Sequence, residues 1–229
     1  MMVGPASMPH AVLWDMDGTL VDTEGLWLAS EHQVMSALGA SWTDEDQVIC
    51  LGGPLERVTA HMRERSATHL DDDAVGRMLL DAMESRLRNE PLEWRPGARG
   101  LLLQCAALDL PAALVSASWT RLITAVVEGI QVDLGFPPFT TIVAGDDVQN
   151  SKPHPEPYLE AARRLGVDPS DCLALEDSPT GITSARDAGC SVIAIPQLAT
   201  VGHLGTAVVE TLAGSTIAHL WATARESGG

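Results

Sequence analysis

The chain has 229 residues, 45% hydrophobic and 20% charged, with a formal charge of −17. That composition is globular rather than disordered, and no apolar run reaches the ~18 residues that a membrane helix needs. The charge has the wrong sign for nucleic acid or an anionic membrane, so neither is an expected partner, and any anionic ligand must be met by a local positive site.

The length suits one large domain, or a core carrying a smaller insert. Residues 1–10 show neither the basic start nor the apolar stretch of a secretory signal, so the expected location is cytoplasmic. The first strand-like run is 10–14, His-Ala-Val-Leu-Trp. From about 22 to 93 no buried strand is evident; helix-length segments occupy 26–38, 43–51, 55–68 and 71–87, an all-helical insert of about 70 residues. The acidic run Asp71-Asp72-Asp73 suits a helix N-terminus, where carboxylates meet free N–H groups and the dipole. Residues 91–97, rich in proline, read as a hinge strand leading out of the insert.

Beyond the insert, apolar runs at 111–115, 141–144, 172–175 and 191–195 alternate with helical stretches at 100–108, 120–127, 155–165 and 180–188. Apolarity without polar alternation suits strands buried on both faces of a parallel sheet. The expected fold class is therefore α/β, a doubly wound parallel-sheet core with an inserted α-helical domain. The core takes residues 1–21 and 96–229, and the helical cap takes 22–95. Cys50, Cys105, Cys172 and Cys190 form no CxxC pair and read as buried free thiols. His32, His61, His69, His203 and His219 show no ligand spacing, and His154, between two prolines, has an orienting role at best.

The segment with the most chemistry is Trp14-Asp15-Met16-Asp17-Gly18-Thr19, at the carboxyl end of the first strand, where open α/β sheets bind ligands. Carboxylates at i and i+2 on extended backbone point into one crevice. One can attack an electrophile and ligate a metal while the other moves protons. Gly18 permits a sharp turn that brings N–H groups near an anion. A calcium loop would need its glycine later and a glutamate where Leu26 stands, so that reading fails. Three further segments lie at or beside strand ends: Ser116-Ala117-Ser118, Ser151-Lys152-Pro153-His154-Pro155, and Glu176-Asp177-Ser178-Pro179. Singly, each has a plain explanation as a cap or a solvated charge. Their order and common edge argue for one site.

These four segments together resemble the haloacid dehalogenase superfamily, in its β-phosphoglucomutase-like branch, with a helical cap after the first motif. The resemblance runs from Val12 to about Ile195. It implies that Asp15 is a nucleophile forming an aspartyl-phosphate and that Asp17 is the general acid and base. Ser116, the Ala117 backbone and Lys152 would hold the phosphoryl group. It further implies Mg2+ bound by the Asp15 carboxylate, the Asp17 carbonyl oxygen and Asp177, with Glu176 close by or acting through water. Magnesium's octahedral oxygen ligation suits that donor set.

Within the branch, the segments at 22–27, 116–118 and 151–158 look most like hexitol and 2-deoxyglucose 6-phosphate phosphatases. The expected activity is hydrolysis of a small phosphorylated metabolite, a sugar or sugar-alcohol phosphate, by a monomer or weak dimer. A sugar phosphomutase is the alternative, and a phosphate-binding regulator without turnover is a third reading. The resemblance places Trp27 where mutases carry a cap histidine. It leaves at most Arg57, in the stretch 51–57, to grip a second phosphate, which favours hydrolysis. Trp27 reads first as a core residue of an amphipathic helix and second as a wall for a sugar ring.

Overall fold

The structure, a computed structural model, describes residues 8–50, 54–196 and 207–227. They divide into two compact units, Met1–Asp22 with Leu92–Gly229, and Thr23–Pro91.

The first unit is built on a sheet of six parallel strands: β1 (Ala11–Trp14), β2 (Ala112–Val115), β3 (Thr141–Val143), β4 (Cys172–Glu176), β5 (Ser191–Ala194) and β6 (Ala207–Val208). Their spatial order is β3-β2-β1-β4-β5-β6. β1 pairs with β2 through Val12–Ala112 to Trp14–Leu114, and with β4 through Ala11–Cys172 to Trp14–Leu175. Every residue of β1, β2 and β4 is buried, as uninterrupted apolar runs require when helices cover both faces. The winding direction reverses between β1 and β4, which makes the crevice at their carboxyl ends the topological switch point.

Helices α5 (Ala98–Ala107), α6 (Thr120–Leu134), α7 (Glu156–Leu165), α8 (Pro179–Asp187) and α9 (Ile217–Ser227) accompany the sheet. On one face Leu13, Ala113, Val115 and Ala174 pack with Tyr158 and Ala161 of α7 and Ile182 and Ala185 of α8. Helix α6 runs seven residues past its expected end, because the stop is Gly135 in the left-handed conformation at the C-terminus. Strand β6 and helix α9 lie beyond the last expected element. A two-residue strand carries no period to detect.

The second unit holds helices α1 (Glu24–Ala37), α2 (Asp44–Cys50), α3 (Leu55–Ser66) and α4 (Asp72–Asn89), and no strand among its described residues. Val34, Met35, Trp42, Val58, Met62, Val75 and Leu79 form its core, and Trp27 packs against that core half-buried. Asp71 caps α4, accepting the Ala74 N–H at 2.8 Å, and Asp72 pairs with Arg63, so the acidic run serves a helix start. The second-phosphate stretch is visible only from Pro54 onward; Leu51, Gly52 and Gly53 lie outside the described residues, as does His203. The side chain of Arg57 donates to the Cys50 carbonyl at 3.2 Å.

In the exit segment Trp94 pairs antiparallel with Val21, flanked by bonds from Asp22 N–H to Glu93 O and from Arg95 N–H to Leu20 O. All four cysteines are free and buried.

Candidate active site

Alternation along β1 sends Leu13 to the face covered by α7, and the next residue of that parity is Asp15. Asp15 is 7% exposed, and its N–H still bonds Leu175 O of β4, so the sheet fixes its backbone. Lys152, in the turn before α7, reaches the same point. Its ammonium lies 2.7 Å from Asp15 Oδ1, 2.6 Å from Glu176 Oε1 and 2.9 Å from the Val115 carbonyl oxygen at the end of β2. Those bonds engage all three ammonium protons. Lys152 is the sole lysine of the sequence.

Glu176 closes β4 and is fully buried. Its Oε1 accepts from Lys152 and, at 2.7 Å, from the Tyr158 hydroxyl, while Oε2 faces Ser178 N–H and Oγ at 3.4 and 3.2 Å. Helix α8 starts directly beside it, with Ser178 capping the Gly181 N–H. A side chain at Gly181 would fall on the Glu176 carboxylate, so this turn of α8 can approach only as glycine.

Asp17 sits past the strand, in a turn closed by bonds from Leu20 and Val21 N–H to Met16 O. Its backbone forms a parallel bridge with that of Val21 across this turn. Its Oδ2 accepts from Ser118 Oγ at 2.9 Å. Gly18 does adopt the left-handed conformation (φ 83°), but its own N–H is committed to Val21 O and does not face an anion. Ser116 is buried at the end of β2, its N–H bonded to Val143 O and its Oγ accepting from Ser118 N–H. Ala117 between them is exposed. His154 is half-exposed and ties the lysine turn to α8 through its carbonyl oxygen, which accepts from Ser184 Oγ.

The electrostatics identify the kind of ligand this site suits. One carboxylate oxygen each from Asp15, Glu176 and Asp177 lies within 4.8 Å of the others. Burial, then the Glu176 charge, raises the pKa of Asp15 well above the carboxylate range although Lys152 opposes this. Burial and Glu176 likewise push Asp177 to about 7. Burial works against the charge of Lys152, but Asp15 and Glu176 outweigh it and hold the ammonium protonated. One ammonium thus faces three acids with a fourth, Asp17, close enough to raise Asp177 further. A divalent cation held by hard oxygen donors would balance that excess, so the donor set fits Mg2+.

The structure thus brings Asp15, Lys152, Glu176 and Asp177 together, links Asp17 to them, and sets Ser116 and Ala117 on the adjoining strand end. Sequence reasoning missed Tyr158 and the Ser118–Asp17 bond. Both residues stand inside segments that were singled out, but nothing in one sequence says where a phenol or hydroxyl will point. A cavity of about 580 Å3 in the helical unit, lined by Thr43, Asp46, Ile49, His61 and Arg65, is no rival. Its buried acid Asp46 is already paired with His61 and Arg65.

The profile of haloacid dehalogenase-like hydrolases matches residues 12–195. Hexitol phosphatase B of Escherichia coli K12 is 32% identical over 189 residues, 81% of this chain and 83% of that one. A bifunctional riboflavin kinase/FMN phosphatase of Arabidopsis thaliana is 31% identical over 211 residues, 90% of this chain; the chain spans about half (53%) of that relative's length. Among solved structures, CbbY from Rhodobacter sphaeroides in complex with phosphate superposes with a TM-score of 0.80 at 26% identity, covering 93% of this chain and 99% of that one.

Proposed function

Because the chain belongs to the haloacid dehalogenase-like hydrolase family, and is there a phosphatase of small phosphorylated metabolites, we propose that it works through an aspartyl-phosphate on Asp15 and acts on a sugar or sugar-alcohol phosphate. The observation that carries the mechanism is the buried Asp15 carboxylate at the switch point, 2.7 Å from the chain's one lysine. Among the described residues the side-chain hydrogen bond to that carboxylate comes from Lys152, a cationic partner placed beside it.

In the first step a carboxylate oxygen of Asp15 attacks phosphorus and the ester P–O bond breaks. Asp17, protonated, gives its proton to the departing alkoxide. In the second step Asp17, now ionised, takes a proton from water, whose oxygen attacks phosphorus and releases Asp15 and inorganic phosphate. Ser118 holds the Asp17 carboxylate for both transfers. Phosphoryl transfer asks a protein mainly to position and neutralise. Lys152, Ser116 Oγ and the Ala117 N–H would receive the phosphoryl oxygens; Lys152 does so by exchanging its bond to Asp15 for one to the incoming group. Mg2+ would be held by Asp15, the Asp17 carbonyl oxygen and Asp177 with Glu176 adjoining, and when bound supplies positive charge to the phosphoryl oxygens.

The substrate class rests on the likeness to hexitol phosphatase B. The test is a panel of phosphorylated sugars, sugar alcohols, glycolate and nucleosides with Mg2+, reading released phosphate. It includes β-glucose 1-phosphate with a trace of bisphosphate. Phosphate release with preference for sugar or hexitol phosphates is the expected result. Conversion to glucose 6-phosphate with little free phosphate would make the chain a mutase instead.

A further inference from the structure

Lys152 must present one orientation to a phosphoryl group, yet its flexible four-carbon stem does not impose one. What fixes it is the geometry around its ammonium. Resting on the aspartyl-phosphate reading above, we propose that Tyr158 is a positioning residue for Lys152. Its hydroxyl fixes Glu176, the lysine's anchor, and its ring backs the ammonium.

Three observations carry this. First, Tyr158 donates to Glu176 Oε1, the same oxygen that accepts from Lys152, at 2.7 and 2.6 Å. Glu176 is thereby held from two sides, with Ser178 on its other oxygen. Second, the ammonium lies 5.2 Å from the centre of the Tyr158 ring, within the ~6 Å over which a cation is drawn to an aromatic face. The phenol thus meets the lysine twice, once through Glu176 and once directly. Third, Tyr158 is fully buried among Leu13, Ala174 and Ile182. Phenylalanine would fill that place with no polar atom to satisfy, and burying a hydroxyl is costly unless it is bonded. Among the described residues the hydroxyl bonds Glu176 and nothing else, so its place in this core follows from the carboxylate.

The consequence concerns which acid holds the lysine when the phosphoryl group arrives. Lys152 bonds Asp15 and Glu176 together. With Glu176 pinned, the bond that yields is the one to Asp15, the residue the phosphoryl group joins. With Glu176 loosened, its carboxylate follows the ammonium, and the lysine loses its fixed point.

The sequence has one lysine and one tyrosine, so the test reads this pair without overlap. In protein labelled with 15N-lysine, the single Nζ signal reports ammonium proton exchange. Tyr158→Phe should speed that exchange about tenfold or more and lower kcat roughly ten- to a hundredfold, the effect of one hydrogen bond to a charged group. KM should stay within about twofold, because ground-state binding has other donors. Ile182→Val, which trims the same core without removing a polar group, should lower stability comparably while leaving Nζ exchange and kcat near wild type. Unchanged exchange in Tyr158→Phe, or a kcat loss no greater than that of Ile182→Val, would overturn the positioning role. Should the wild type release phosphate from no substrate, the proposed function fails, and the exchange measurement decides the Tyr158 proposal alone.

Discussion

Replacing Glu31 with glutamine should stabilise the protein at pH 8 and have progressively less effect toward pH 5. Glu31 lies on α1, 9% exposed, and its Oε2 accepts from the Trp42 indole at 2.9 Å. Burial, opposed by that bond and aided by Glu24, raises its pKa from the ordinary 4.5 to about 7. The sign follows from proton counting. Between pH 4.5 and 7 the unfolded chain ionises this group while the folded chain keeps it neutral, so stability is full below the window and lost as pH rises through it. At 1.36 kcal/mol per pH unit the gap sets a ceiling of about 3 kcal/mol, and partial hydration of the carboxylate lowers the expected cost to roughly 1–2 kcal/mol. The amide keeps an acceptor for the indole and never ionises. The thermal midpoint of Glu31→Gln should therefore exceed that of wild type by about 2–8 °C at pH 8, taking roughly 2–4 °C per kcal/mol for a chain this long. Unfolding curves of both proteins from pH 5 to 8 should show the gain growing to about pH 7 and then levelling. A gain independent of pH, or one that shrinks as pH rises, would refute the reasoning.

At an ordinary helical position Gly→Ala is stabilising, but Gly181→Ala should lower kcat by about tenfold or more, since the new methyl displaces Glu176 and with it Lys152; circular dichroism alongside phosphate release checks this, and an unchanged kcat would contradict it. Asp17→Asn should cost about 10²–10⁴ in rate through lost proton transfer while leaving Mg2+ affinity near wild type, its expected ligand atom being the backbone oxygen. Single-turnover kinetics should locate the loss in formation or breakdown of the intermediate. Magnesium should be required and calcium should inhibit, because calcium's longer bonds and higher coordination let Asp15 engage the metal with both oxygens; full turnover in EDTA would contradict the metal assignment.

The five longer strands were legible as short uninterrupted apolar runs, and the helical insert as a series of helix-length segments without a buried strand. Apolarity alone marked β1, β2 and β4 as buried on both faces, and strand ends marked where Asp15 and Glu176 would meet. Strand β6 and helix α9 were not legible, since two residues of strand offer no period and the helix follows a stretch without a motif. Gly18 shows a different limit. Its left-handed turn could be expected from the residue type, but the partner of its N–H depends on how the turn closes at Val21, which spacing does not encode. Tyr158 is the plainest case. On α7 its position reads as one more core aromatic, and only the packed structure aims its hydroxyl at Glu176.

The central claim is that Asp15 carries the phosphoryl group. Acid-quenching the wild type during a single turnover with a hydrolysed substrate, then digesting it for mass spectrometry, tests this directly. The account predicts phosphate on the peptide containing Asp15, appearing and decaying at rates compatible with turnover, and absent in folded, inactive Asp15→Asn. Phosphate release at wild-type rate by Asp15→Asn, or label accumulating on another residue, would contradict it.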